Sequence, residues 1–168
     1  SGFVILFQEK SKESFSSTTV IVLLGDSVLK NESYVKSGLS ICEYLKRKIS
    51  STYCYALNDS TIVDVYNQLE QIPLDLNDPN CSIFLSIGGN DILNNHIEDK
   101  ESLRPLFIAY TKLIRSIKTK MDQSQLFLVN IYYPLNLKYS QYTPILAEWN
   151  KMIDDYAYDS SNNIAGVV

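Results

Sequence analysis

The sequence predicts one α/β domain in which a parallel sheet is covered by helices on both faces, a three-layer α/β/α sandwich. Three observations carry this. The 168 residues are enough for a single sizeable core. Short, continuous aliphatic runs recur along the chain, as in strands buried on both faces. Between them lie segments with apolar residues at helical spacing, so the elements alternate βαβαβαβαβ. Apolar residues make up 45% and charged residues 20%, which excludes disordered, collagen-like and coiled-coil chains. The net charge is −4 and the 15 Lys and Arg are scattered, so no basic stripe points to nucleic acid.

The first strand is expected at Thr18–Leu24 (TTVIVLL), ended by Gly25-Asp26-Ser27. Leu39, Cys42, Leu45 and Ile49 then recur at helical spacing, with Lys46, Arg47 and Lys48 in the last turn where cations complement the helix dipole. Tyr53–Leu57 reads as a short strand. Asp59 or Ser60 caps a helix running to about Gln71, with Ile62, Tyr66 and Leu69 as its apolar face. Pro73 to Asn80 is a loop, and Ser82–Ile87 (SIFLSI) is the next buried strand, ended by Gly88-Gly89-Asn90-Asp91. Leu103, Phe107, Tyr110, Ile114, Ile117 and Met121 form the clearest amphipathic stripe. Leu126–Ile131 (LFLVNI) is the fourth strand. Thr143-Pro144 reads as N-cap and first residue of a helix carrying Ile145, Trp149, Met152, Ile153 and Tyr156, and Ile164–Val168 opens a fifth strand.

Cys42, Cys54 and Cys81 lack Cys-x-x-Cys spacing, and with His96 as the sole histidine they make a poor zinc site. They read as buried free thiols, a weak lean towards a reducing compartment, with a single disulfide left open. Both ends look cut. Residues 1–17 read as an apolar stub, Phe3–Phe7, followed by a polar linker. The stub is too short to span a bilayer, which takes about 20 residues, but fits the tail of an upstream signal or anchor segment that would tether the protein to a membrane. An edge strand or a cloning remnant at Ser1-Gly2 are the plainer readings. Residues 18–168 then form the domain, expected to be incomplete at its C-terminal end.

In parallel α/β sheets ligands bind beyond the carboxyl ends of the strands, near the point where strand order reverses. The residues to weigh are therefore Asp26-Ser27, Asn58-Asp59-Ser60, Gly88–Asp91 and Asn130–Pro134. A hydroxyl at a strand-to-loop turn is fixed and exposed, as a nucleophile requires. A nearby side-chain amide can donate to an oxyanion together with a backbone N–H. Glycines such as Gly89 let backbone approach a substrate closely.

On these residues the chain resembles the SGNH (GDSL-type) hydrolases, over about Val20 to Tyr158. Gly25-Asp26-Ser27 matches the family's first block, and Gly88-Gly89-Asn90-Asp91 matches its Gly-x-Asn-Asp third block without change. The resemblance implies a flavodoxin-like sandwich and cofactor-free, metal-free ester hydrolysis through an acyl-serine. It implies Ser27 as nucleophile, the Asn90 amide and the Ser27 N–H as oxyanion donors, and Asp26 and Asp91 as loop-holding residues. Two blocks depart from the family. Its second block has a Gly whose N–H is a third oxyanion donor, where this chain has Asn58-Asp59-Ser60. Its last block, Asp-x-x-His after the fifth strand, has no match in these residues. Only His96, five residues past Asp91, is on offer as a base, and it reads more readily as an exposed or rim residue.

The expected substrate is a small-molecule, lipid or carbohydrate ester. The alternative is a non-catalytic module of the same fold, membrane-tethered or part of a viral assembly with an unknown partner. A phospho-accepting receiver domain is disfavoured because Asp26 lacks an acidic neighbour, and a flavodoxin because Val28–Asn31 is no phosphate loop. Tyr132 or Tyr133 could line a substrate pocket, though packing at the sheet rim is the plainer role. Compartment stays open.

Overall fold

A computed structural model describes residues 19–33, 35–133 and 136–168. The expectations for the N-terminal stub and linker, and for Thr18 and Pro134, lie outside them. The elements run β1 (Val20–Gly25), α1 (Ser27–Lys30), α2 (Ile41–Lys48), β2 (Thr52–Cys54), α3 (Ile62–Glu70), β3 (Cys81–Ser86), α4 (Gly89–Asn94), α5 (Lys100–Lys120), β4 (Gln125–Leu128), α6 (Thr143–Tyr158) and β5 (Gly166–Val167), with short 3-10 turns at Leu74–Leu76, Leu137–Tyr142 and Ser160–Asn162.

The five strands form one sheet in the order β2-β1-β3-β4-β5, every pair parallel. This is the flavodoxin-like order, whose switch point lies between β1 and β3. Alternation along the strands divides the core. Val22 and Leu24 of β1, Ile83 and Leu85 of β3, and Leu126 and Leu128 of β4 face α3, α5 and α6. Ile21, Leu23, Phe84 and Phe127 face the other way, towards Leu29 of α1 and Cys42 and Leu45 of α2. The register Val22↔Ile83↔Leu126 keeps each set on one face, so the sandwich has three layers.

Helix ends follow local chemistry. In α2, Ser40 Oγ accepts from Glu43 N–H and the Glu43 carboxylate accepts from Ser40 N–H, a reciprocal cap. The α5 cap is Asp99, accepting from Ser102 N–H at 2.8 Å. Its stripe of Leu103, Tyr110, Ile114, Ile117 and Met121 is buried as expected, and Trp149 stands edge-on to Phe107 and Tyr110.

Several expectations are corrected. Leu39 is 56% exposed and lies before α2, because the Ser40–Glu43 cap starts the helix after it. The cap of α3 is Thr61, whose N–H and hydroxyl donate to Asp64, while Ser60 turns inward. The cap of α6 is Tyr142, one residue before Thr143. β2 ends at Cys54, short of Leu57, where the Tyr55 and Ala56 N–H groups both turn to the Leu23 carbonyl, although the Leu57 N–H still reaches Gly25 O. The free-thiol reading fails for two of the three cysteines. Cys42 of α2 and Cys54 of β2 form a disulfide, their Cα atoms 6.2 Å apart, within bridging reach. Cys81 alone is free, and buried. The lean towards a reducing compartment loses its basis. Among the described residues no helix is long and apolar enough to cross a membrane.

Candidate active site

Three loops leave the carboxyl edge of the sheet side by side, after β1, β2 and β3, and their residues are tied together. Gly25 closes β1 at φ +130°, and a Cβ there would stand 1.8 Å from the Ser86 carbonyl oxygen. Only glycine lets β1 and β3 stay paired to this point, where Gly25 opposes Ser86 and the Asp26 N–H donates to Ser86 O at 3.1 Å. Asp26 then caps α1, its carboxylate accepting from the Val28 N–H at 3.0 Å. Ser27 is the first residue of α1 and half-buried. Among the described residues no hydrogen bond engages its hydroxyl.

On the β3 side Gly88 sits at φ +119°, and a Cβ there would fall 2.4 Å from the Trp149 ring. That contact seats the turn on α6 and starts α4 at Gly89, with Asn90 as the helix's second residue. Asn90 Nδ2 donates to the Ser60 carbonyl at 2.9 Å. A carboxamide nitrogen carries two hydrogens, so one remains to donate elsewhere. Asp91 is buried, and both its oxygens lie within 3.3 Å of the Ile62 N–H at the head of α3. Its own carbonyl accepts from Asn95 Nδ2 at 2.8 Å.

The β2 loop completes the edge. Ser60 is buried, and its hydroxyl accepts from Gln68 Nε2 at 3.1 Å. Asp59 is exposed at φ +60°, a left-handed conformation that favours glycine. The resemblance expects a glycine in this loop, so the backbone keeps a glycine-like conformation with an aspartate in place.

Burial raises both carboxyls at this edge. Burial pushes the Asp26 carboxyl up to about 7, and Asp91 adds to this by its negative charge, against the opposing Val28 N–H bond. Burial also raises Asp91, with the Ile62 N–H pulling the other way. Ionising either acid in this pocket is costly. The edge therefore carries less negative charge near neutrality than its residues suggest.

The structure brings Asp26, Ser60, Asn90 and Asp91 into one hydrogen-bonded edge, with Ser27, Asp59 and Gly89 on the same three loops. His96 is set apart. It lies beyond the far end of α4, roughly 9 Å of helix rise from Asn90. It is exposed at φ +49°, with its Nδ1 3.5 Å from the Tyr142 hydroxyl. Tyr132 and Tyr133, after β4, are both exposed. Among the described residues no cluster of acids, histidines and cysteines suits a metal ion.

Sequence reasoning missed Gln68, which is 1% exposed on α3 and accepts from Gly25 N–H at 2.8 Å while donating to Gly25 O at 2.9 Å. The available signal was its spacing, since a glutamine three residues after Val65 falls on the buried stripe of α3. Asn150 was missed likewise. It makes the same two-point pairing with Ile131 beyond β4, both bonds 2.8 Å.

No family model matches the chain. No curated protein matches it in sequence either. Solved structures do. A member of the lipolytic protein G-D-S-L family from Veillonella parvula superposes with a TM-score of 0.67 at 19% identity, covering 89% of this chain and 76% of its own. A GDSL-like lipase from Bacteroides thetaiotaomicron gives 0.61 at 13% identity, covering 95% and 76%. An extracellular lipase from Streptomyces rimosus gives 0.54 at 17% identity, covering 89% and 79%. With the parallel 2-1-3-4-5 sheet and the glycine-bounded turns after β1 and β3, these likenesses establish that the chain has the SGNH (GDSL-type) hydrolase fold.

Proposed function

We propose that the protein is a serine ester hydrolase of the SGNH type, acting on a small-molecule, lipid or carbohydrate ester. The observation that carries this is the joined carboxyl edge. The Ser60 carbonyl holds the Asn90 amide, the Ile62 N–H holds Asp91, and the Ser27 hydroxyl stands on the adjoining turn without a competing bond among the described residues. The solved structures that share the fold include proteins named as lipases, which favours an ester over other acyl compounds.

In the proposed reaction Ser27 Oγ attacks the ester carbonyl carbon as a base removes its proton. The carbonyl π pair moves to oxygen, and the oxyanion accepts from the Ser27 N–H, from the free hydrogen of Asn90 Nδ2 and from the Asp59 N–H. Collapse expels the alcohol, which takes up the proton, and water then hydrolyses the acyl-serine. Each oxyanion donor is worth on the order of 10²- to 10³-fold in rate. The raised Asp26 carboxyl, at about 7, lessens the standing negative charge beside a developing oxyanion. The base in this reading is a histidine following β5, as the resemblance implies. His96 is the weaker candidate, because its ring faces Tyr142.

The second reading, a non-catalytic module, is favoured by one observation: no Asp-x-x-His occurs in the sequence. A fluorophosphonate probe on the full-length protein separates the two. Labelling at Ser27 that is lost in Ser27→Ala is the expected result. An unlabelled protein with its fold intact would leave the module. Unchanged hydrolysis in His96→Ala removes that residue as base.

A further inference from the structure

The Gln68 side chain sits against the last residue of β1, on the side where the chain after β2 is leaving. β2 stops pairing with β1 at Cys54, opposite Leu23, two residues before Gly25. There the Gln68 amide adds its own pair of bonds, its Oε1 accepting from Gly25 N–H and its Nε2 donating to Gly25 O, the carbonyl that the Leu57 N–H also reaches at 3.0 Å. The second Nε2 hydrogen goes to Ser60 Oγ at 3.1 Å. All three polar sites of the side chain are used in a fully buried place. Ser60 in turn presents its carbonyl to Asn90 Nδ2. One chain of hydrogen bonds thus runs from the backbone two residues before Ser27, through Gln68 and Ser60, to the amide of Asn90.

We propose that Gln68 is the positioning residue of this site, setting the Ser27 turn and the Asn90 amide in register with each other. It touches no reacting atom, and the inference rests on the esterase reading for its catalytic consequence. Its chemistry is specific. Glutamate in the neutral form keeps one acceptor and one donor in the same shape, and ionised glutamate keeps no donor. Methionine matches the length but pairs with neither Gly25 nor Ser60. A displacement of about 1 Å between nucleophile and oxyanion donor costs on the order of 10²-fold in rate.

The test uses the full-length protein and two readouts. The first is the rate of fluorophosphonate labelling at Ser27. The second is the Asn90 side-chain NH₂ resonance in ¹⁵N-resolved NMR, assigned by its loss in Asn90→Ala. Gln68→Met is expected to label about 10²-fold more slowly and to move the Asn90 resonance. Met121→Ala, a buried truncation at the opposite end of the sheet, serves as the stability control and should do neither. Gln68→Glu guards against a variant that fails to fold. It should label near the parent rate in acid and fall away from it as pH rises and the carboxyl ionises. An Asn90 resonance unmoved in Gln68→Met, or a Gln68→Glu to parent ratio that is flat with pH, overturns the inference. If the parent protein does not label, the esterase reading falls, while the resonance still decides whether Gln68 sets Asn90.

Discussion

Asp59 holds a left-handed backbone without being glycine, and it does so in the loop whose Ser60 carbonyl holds the Asn90 amide. An L-residue there is strained by about 1 kcal/mol, less for aspartate than for most. Asp59→Gly relieves that strain at some entropic cost, and is expected to raise the thermal midpoint by about 2 °C. A lowered midpoint would mean that the carboxylate contributes something the strain argument omits. Asp26 offers a sharper case. Its carboxyl is raised from 3.8 to about 7, so the fold favours the neutral form. A raised acid stabilises fully below its unfolded value, and that contribution is lost as pH climbs from about 4 to about 7. Asp26→Asn keeps an acceptor for the Val28 N–H and cannot ionise. Thermal melts from pH 4 to 8 are expected to show the parent losing stability over that interval relative to D26N. A constant difference across the range would refute the buried neutral acid.

At the scale of elements, amide side chains finish what the strands leave open. Gln68 of α3 pairs with Gly25 at the end of β1, and Asn150 of α6 pairs with Ile131 beyond β4. These bonds satisfy backbone groups where the ladder ends and the loops diverge. On the opposite face the disulfide joins α2 to β2 beside Leu29 of α1, the helix that carries Ser27. Cys42 and Cys54 are separated by 12 residues. Closing a loop of that size stabilises by about 3 kcal/mol through the unfolded chain. Reduction, or Cys42→Ser with Cys54→Ser, is expected to lower the midpoint by roughly 6–12 °C. Reductant should have no effect on the double variant. A parent protein indifferent to reductant would show that the bridge is not formed.

For the whole molecule, the architecture was legible because its signals are local and repeated. Ile21–Leu24, Ile83–Leu85 and Leu126–Leu128 are aliphatic or aromatic runs that fit a two-sided sheet. The Gly25 and Gly88 turns were legible as motifs, although the reasons for glycine, the Ser86 carbonyl and the Trp149 ring, are tertiary. The Cys42–Cys54 bridge was not legible, because it depends on how α2 packs on β2. Nor was the conformation of Asp59, since Asn58 and Asp59 both tolerate a left-handed backbone and the pair alone does not say which adopts it. Gln68 was hidden by its polarity, which usually marks a solvent face. Caps slipped by a residue wherever two candidates adjoin, as at Ser60-Thr61 and Tyr142-Thr143. The fold was thus readable from pattern. The joining of its loops was not, and the account of function depends on that joining.

The central claim is that the Ser27 hydroxyl and the Asn90 amide serve one reacting centre. A crystal structure of the full-length protein treated with a fluorophosphonate measures this most directly. The account predicts phosphorus bonded to Ser27 Oγ, with its phosphoryl oxygen about 3 Å from both Asn90 Nδ2 and the Ser27 backbone nitrogen. An adduct on another residue, or a Ser27 adduct whose phosphoryl oxygen points away from Asn90, would contradict it.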